Sequence, residues 1–191
     1  MATKRTAVDA VLLAPGAGAS SDHHTLVALE ASVSPLPVRR MDFPYRLAGR
    51  KAPDRPPVLL DAVRVALAEL CSEVGTTPAR VVLGGRSMGG RICSMVVAED
   101  GSAAGLVLLS YPLHPPGRPD RLRTDHFGSL DVPCLFVSGE KDPFGTPTEL
   151  EAATTAIPGP VTHRWLPGGH SPKPAFDADI CTEVTTWMKT L

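Results

Sequence analysis

Two runs in this chain, residues 106–109 (LVLL) and 134–137 (CLFV), are apolar at every position. A strand with one wet face alternates apolar and polar side chains. A strand without that alternation has both faces covered. Such strands belong to a sheet with helices packed on its two sides. The rest of the chain agrees, because strand-like and helix-like stretches alternate along it. Residues 8–13 read as a strand running into a Pro15-Gly16 turn. Leu26, Val27 and Leu29 follow on a short helix that Asp22 is placed to cap. Residues 38–41 predict a second strand. Pro57 then opens a helix with Leu59, Val63, Leu67 and Leu70 on its apolar face, and Gly75 stops it. Residues 80–84 predict a third strand, and Ile92, Met95 and Val96 mark the helix after it. Thr146-Pro-Thr-Glu149 reads as a capping box with proline at the first helical position. Residues 161–166 predict the last strand. Phe176, Ile180, Val184 and Trp187 recur every three or four residues, which gives a closing amphipathic helix. Six strands with helices in most gaps predict a compact, mostly parallel α/β sheet with right-handed crossovers. With 191 residues, no internal repeat and no linker, the expectation is one domain over residues 1–191.

Composition narrows the partners. The net charge is −1, so no global field recruits nucleic acid or an anionic membrane surface. No apolar run reaches the length of a bilayer span. The start, Met1-Ala-Thr-Lys-Arg-Thr6, is charged and has no apolar signal core, so a cytoplasmic location is expected. Cys71, Cys93, Cys134 and Cys181 lie far apart with apolar neighbours and are expected as free thiols. Neither a metal site nor a cofactor is expected, and nothing here sets an oligomeric state. The 20 prolines fall between periodic segments and punctuate loops.

In a parallel sheet the ligand sits beyond the carboxyl ends of the strands. That rule selects residues 16–20, Ser87, residues 140–142 and residues 168–170. Ser87 is the centre of Gly85-Arg-Ser-Met-Gly89, between a strand and a helix, where the turn leaves no room for side chains beside the serine. A serine hydroxyl is a weak nucleophile at neutral pH and needs a base. Histidine titrates near pH 7, and a carboxylate fixes its tautomer. His170, after the last strand, is the candidate base. Asp142 is the candidate acid, with Glu140 as its neighbouring competitor. The backbone N–H of Met88 and of Ala17, in the turn 15–20, are the candidate donors to an oxyanion. That turn is glycine-rich, but no Gly-Lys-Ser/Thr follows, which excludes a phosphate-binding loop of the Walker type.

Gly18, Arg86, Tyr111 and His114 are candidate substrate contacts around these groups. Arg86 and Arg91 flank the serine. Each is open to an acidic substrate group or, more in keeping with arginine, to a carboxylate such as Asp42. His23, His24, His126 and His163 are expected in structural or surface roles. Arg118, Arg121 and Arg123 are expected in a solvated, proline-rich loop.

Several segments together carry a resemblance. They are Pro15-Gly-Ala-Gly-Ala-Ser20, Asp42-Phe-Pro-Tyr45 with Gly49-Arg50 and Pro53-Asp-Arg-Pro-Pro57, and Gly84-Gly-Arg-Ser-Met-Gly-Gly-Arg91. Tyr111-Pro-Leu-His-Pro-Pro-Gly117 and Gly139-Glu-Lys-Asp-Pro-Phe-Gly145 complete the set. Over nearly its whole length the chain resembles the small α/β-hydrolases related to testis-expressed protein 30 and to subunit three of the non-specific lethal chromatin complex. Their bacterial relatives are described as dienelactone-hydrolase-like. The resemblance implies the α/β-hydrolase fold, with Ser87, Asp142 and His170 at the matching triad positions. It departs in two places. Pro15-Gly16 stands where the family usually has His-Gly, and His170 follows Gly169 with one residue fewer than is common. Dienelactone hydrolases use a cysteine nucleophile where this chain has Ser87, so that activity is not implied.

Two functions follow as expectations. One is a serine hydrolase that cleaves a small-molecule ester or thioester through an acyl-enzyme. The other, suggested by the scaffolding relatives and by Pro15, is a binding module that keeps the fold with little or no catalysis. The segment 112–131 spans about twenty residues with little helical pattern, so no large lid domain and a shallow, exposed site are expected.

Overall fold

The computed structural model describes residues 8–191. Six strands form one sheet: β1 (Ala10–Ala14), β2 (Val38–Arg40), β3 (Val81–Arg86), β4 (Gly105–Leu109), β5 (Cys134–Gly139) and β6 (Val161–Leu166). Their order is β2-β1-β3-β4-β5-β6, and every neighbouring pair is parallel. The helices are α1 (His24–Ser32), α2 (Pro44–Leu47), α3 (Pro56–Val74), α4 (Met88–Asp100), α5 (Pro147–Thr154) and α6 (Asp177–Met188).

Side chains of a strand point alternately to its two faces, and the core divides accordingly. Ala10, Leu12 and Ala14 of β1, Leu106 and Leu108 of β4, and Cys134 and Phe136 of β5 pack with α3 and α4. Val11 and Leu13, Val107 and Leu109, and Leu135 and Val137 pack with α1 and α6. The wholly apolar runs are therefore strands with a helix layer on each side.

The helix ends follow local chemistry. Gly75 adopts φ 72° at the end of α3, and its N–H donates to Cys71 O. Thr146 and Glu149 close the capping box of α5, worth about 0.5–2 kcal/mol. Pro56, one residue before the expected Pro57, is the first residue of α3. Asp22 does not cap α1. The His23 imidazole does so instead, accepting from Thr25 N–H. Val27 lies on the outer face of that helix, 41% exposed.

β1 begins at Ala10 rather than residue 8, because its ladder with β3 starts at Ala10↔Val81. β3 continues two residues beyond the expected end, to Arg86, where it still pairs with Leu109. Between β4 and β5 the chain forms turns and one short 3-10 helix, Phe127–Ser129, and no α-helix. Cys71, Cys93 and Cys134 are buried free thiols, and Cys181 is partly exposed. Among the described residues no helix is long and apolar enough to cross a membrane.

Candidate active site

The chain leaves β1 toward β2 on one side of the sheet and leaves β3 toward β4 on the other. Such a reversal places a crevice at the carboxyl ends of β1 and β3. The turns after β1 and β3 both open there, held side by side by the pair Ala14↔Gly85.

Ser87 occupies the turn between β3 and α4 with φ 51° and ψ −119°. A non-glycine residue at positive φ is held there by its surroundings, at a cost of about 1–3 kcal/mol. Its N–H donates to Leu109 O at 2.8 Å. It precedes the first residue of α4, yet its hydroxyl makes no capping bond. The hydroxyl lies instead 2.8 Å from His170 Nε2. The flanking glycines answer to packing. A Cβ on Gly85 would lie 2.0 Å from the Ala14 carbonyl oxygen, and one on Gly89 would lie 2.3 Å from the same atom.

Asp142 follows β5, and its side chain is 1% exposed. Its Oδ2 lies 2.8 Å and its Oδ1 3.1 Å from His170 Nδ1, a placement that makes Nδ1 the protonated nitrogen and leaves Nε2 to face the serine. Oδ1 also accepts from Phe144 N–H at 2.9 Å, which fixes the carboxylate in its loop. The Phe144 ring stacks on the imidazole with centroids 4.0 Å apart. Glu140 is exposed, and its N–H donates to Leu166 O. The shorter approach through Gly168-Gly169 still brings His170 into reach of both partners.

Ala17 follows β1 and Met88 follows Ser87, in the two adjoining turns. Tyr45 Oη donates to Ala17 O at 2.7 Å, and Ala19 N–H donates to Gly16 O at 3.1 Å, so the turn after β1 is pinned from two sides. Met88 is the first residue of α4, where the helix itself offers a main-chain N–H no acceptor.

The four candidate substrate contacts fare differently. Gly18 is exposed on the open side of its turn, where a Cβ would meet nothing within 4 Å. Arg86 is 8% exposed and turned toward the His170 loop. Tyr111 does not line the site. Its ring is buried against Phe127 and Phe136, its hydroxyl donates to Arg123 O at 2.7 Å, and burial pushes its phenol well above the usual range. His114 is 5% exposed, with Nδ1 2.9 Å from Pro115 O and Nε2 3.6 Å from Glu149, and makes no bond to Ser87. Both are drawn inward because the segment after β4 folds Leu113 and Phe127 into the core.

The expected Asp42 partnership is also corrected. Asp42 accepts from Ser21 N–H at 2.8 Å and Ser21 Oγ at 2.6 Å, and pairs with neither Arg86 nor Arg91. Arg123 is half-buried rather than solvated, while Arg118 and Arg121 are exposed. The remaining histidines bond elsewhere: His24 to Asp177, His126 to Ser94 and His163 to Thr154. Among the described residues no group of three or more His, Cys, Asp and Glu is placed to hold a metal ion. Phe144, Tyr45 and Ser171 are not among the sequence candidates. Phe144 and Tyr45 lie inside segments that carry the resemblance, but only the folded chain brings them to His170 and Ala17.

A family model described as an alpha/beta hydrolase domain matches residues 7–186. The chain belongs to the α/β-hydrolase family. Solved structures share the fold of this α/β-hydrolase. XCC1541 from Xanthomonas campestris, of the alpha/beta superfamily, is 21% identical with a TM-score of 0.71, over 96% of this chain and 99% of that one. An alpha-beta serine hydrolase homologue from Coxiella burnetii is 16% identical with a TM-score of 0.72, over 95% and 84%. The type II thioesterase BorB of the borrelidin biosynthetic cluster is 17% identical with a TM-score of 0.70, over 95% and 93%. At these identities the likeness extends to the fold.

Proposed function

We propose that this α/β-hydrolase cleaves small esters or thioesters by a Ser87–His170–Asp142 triad through an acyl-enzyme. The observation that carries the reading is the continuous hydrogen-bonded chain, 2.8 Å from Ser87 Oγ to His170 Nε2 and 2.8 Å from His170 Nδ1 to Asp142 Oδ2. Ser87 Oγ attacks the acyl carbon while His170 Nε2 takes its proton. Asp142 holds the tautomer and stabilises the imidazolium. The N–H groups of Ala17 and Met88 donate to the oxyanion of the tetrahedral intermediate. As that intermediate collapses, the imidazolium returns the proton to the departing alcohol or thiol. Water then attacks the acyl-enzyme with His170 again as base, which frees the acid and Ser87.

A scaffold without catalysis would not need the serine within reach of the histidine, and the 2.8 Å contact favours the enzyme. The absence of an α-helix between β4 and β5 favours a site open to small or surface-presented acyl groups. A cytoplasmic setting and kinship with the testis-expressed protein 30 group belong to the same proposal.

A fluorophosphonate probe tests it. Wild type is expected to be labelled at Ser87 and to hydrolyse p-nitrophenyl acetate, and Ser87→Ala to do neither. An unlabelled wild type, or equal labelling of the variant, overturns the reading.

A further inference from the structure

Arg86 is a buried cation that bonds to none of the side chains of Ser87, His170 and Asp142. It is the last residue of β3, directly before Ser87, and it is 8% exposed. Among the described residues no carboxylate pairs with it. Asp142 acts on it only at a distance, and burial pulls the guanidinium below its ordinary pKa. Holding an arginine this way is unfavourable unless its hydrogen bonds compensate. One nitrogen, Nη2, makes two of them: it donates to His170 O at 3.0 Å and to Ser171 Oγ at 2.6 Å. On the other side, Nη1 lies 3.4 Å from where a Cβ of Gly16 would stand, beside the turn after β1.

The segment it grips has little else to hold it. Gly168 adopts φ 114°, and its carbonyl accepts from Lys141 N–H. From Gly169 to Pro172 no backbone–backbone hydrogen bond fixes the main chain among the described residues. Asp142 and Phe144 hold the imidazole at its ring, but a ring is only as well placed as the Cα that carries it.

We propose that Arg86 is a positioning residue. Its guanidinium anchors the main chain of His170 and Ser171 to the end of β3, so that the strand delivering the serine also sets the place of the base. Base and nucleophile then share one rigid support across 83 residues of sequence. The cation therefore acts through the histidine and is not a receptor for an acidic substrate. The inference rests on the hydrolase reading for its rate effect, but the hold on the loop is independent of turnover.

The test compares wild type, Arg86→Met, Arg86→Lys and Ser171→Ala, the last a change at an exposed residue. Two readouts are taken: kcat and KM on p-nitrophenyl acetate, and crystal structures of the four proteins compared over the main chain of residues 168–172. A base displaced by a fraction of an ångström to about 1 Å is expected to lower kcat of Arg86→Met by up to about 100-fold with KM little changed. Methylguanidine added to that variant is expected to restore part of the rate. Nη2 alone makes both bonds, so the ammonium of Arg86→Lys is expected to keep part of them and to lose less kcat than Arg86→Met. Ser171→Ala is expected to show a smaller loss of kcat in the same direction. The main chain of His170 and Ser171 is expected to be displaced in Arg86→Met while the sheet superposes on wild type. Unchanged kcat and an unmoved 168–172 main chain in Ser171→Ala and Arg86→Met overturn the proposal. So does a loss in Arg86→Met that appears in KM and is confined to acidic esters. A wild type that turns over no ester sinks the hydrolase reading, and the crystal structures then still decide whether Arg86 holds the loop.

Discussion

The ring of Phe144 lies on the imidazole of His170, centroids 4.0 Å apart and planes 30° from parallel, while the Phe144 N–H holds the carboxylate that bonds the same imidazole. One residue thus restrains the imidazole by its side chain and the carboxylate by its main chain. Phe144→Leu removes the first restraint and keeps the second. Stacking of this kind contributes about 0.5–1.5 kcal/mol. The expected outcome is a kcat lower by up to about tenfold with KM little changed, measured on p-nitrophenyl acetate.

Asp142→Asn tests the tautomer. The amide preserves shape but can present N–H to Nδ1, which turns the imidazole's proton toward Ser87. A loss of about 10³–10⁴ in kcat is expected, the scale set by the equivalent change in serine proteases. Glu140→Gln, at an exposed position on the same loop, is expected to leave kcat within about threefold, as surface changes away from a site do.

The glycines of two adjoining turns divide sharply. A methyl on Gly85 or Gly89 would drive into the Ala14 carbonyl, and such overpacking costs about 1–3 kcal/mol or more. A methyl on Gly18 meets nothing within 4 Å. Thermal melts are expected to show Gly85→Ala and Gly89→Ala strongly destabilised or insoluble, and Gly18→Ala within about 0.5 kcal/mol of wild type.

Acid weakens this protein in a defined window. Burial, and then the charge of Arg91, pulls His126 from 6.5 to about 4. Burial, and then Arg86, pulls His23 to about 4. The unfolded chain takes up these protons near pH 6.5, and the folded chain does not until about 4. Their contribution is therefore complete above pH 6.5 and is lost as the pH falls toward 4. Asp9, lowered to about 2 by Arg80 and Thr76, acts in a separate window further down. The melting temperature is expected to drop between about pH 6.5 and 4.5, and less steeply in His126→Gln.

Thiol chemistry offers an independent check on the core. Burial pushes Cys93 and Cys134 up to about 12. Ellman's reagent at about pH 8 is expected to modify Cys181 first in the native protein. Cys71, Cys93 and Cys134 are expected to react only after denaturation.

What is legible in the sequence is whatever a local pattern encodes. β4 and β5 announce themselves because burial on both faces removes polar alternation. Ser87, Asp142 and His170 stand out because the ends of parallel strands are where such groups converge. β3 reads two residues short, since Gly85 and Arg86 have weak strand preference and pairing with the neighbouring strands β1 and β4 keeps them extended. Tyr111 and His114 escape for a related reason: nothing local shows that the loop after β4 turns into the core. The hold of Arg86 Nη2 is invisible because its acceptors lie 84 and 85 positions away and are not carboxylates. Arginine invites a search for acids, and here a backbone carbonyl and a hydroxyl take that place.

The pairing of Ala14 with Gly85 has a consequence for how the protein becomes active. The turn bearing Ala17 and the turn bearing Ser87 are terminal rungs of one ladder, and a slip of a single residue between β1 and β3 would misalign them. Pairing of β1 with β3 is therefore necessary for the proposed site but not sufficient, because Asp142 and His170 follow β5 and β6. Activity is expected to appear only in the kinetic phase that completes the sheet, which makes the first turnover a clock for its closing.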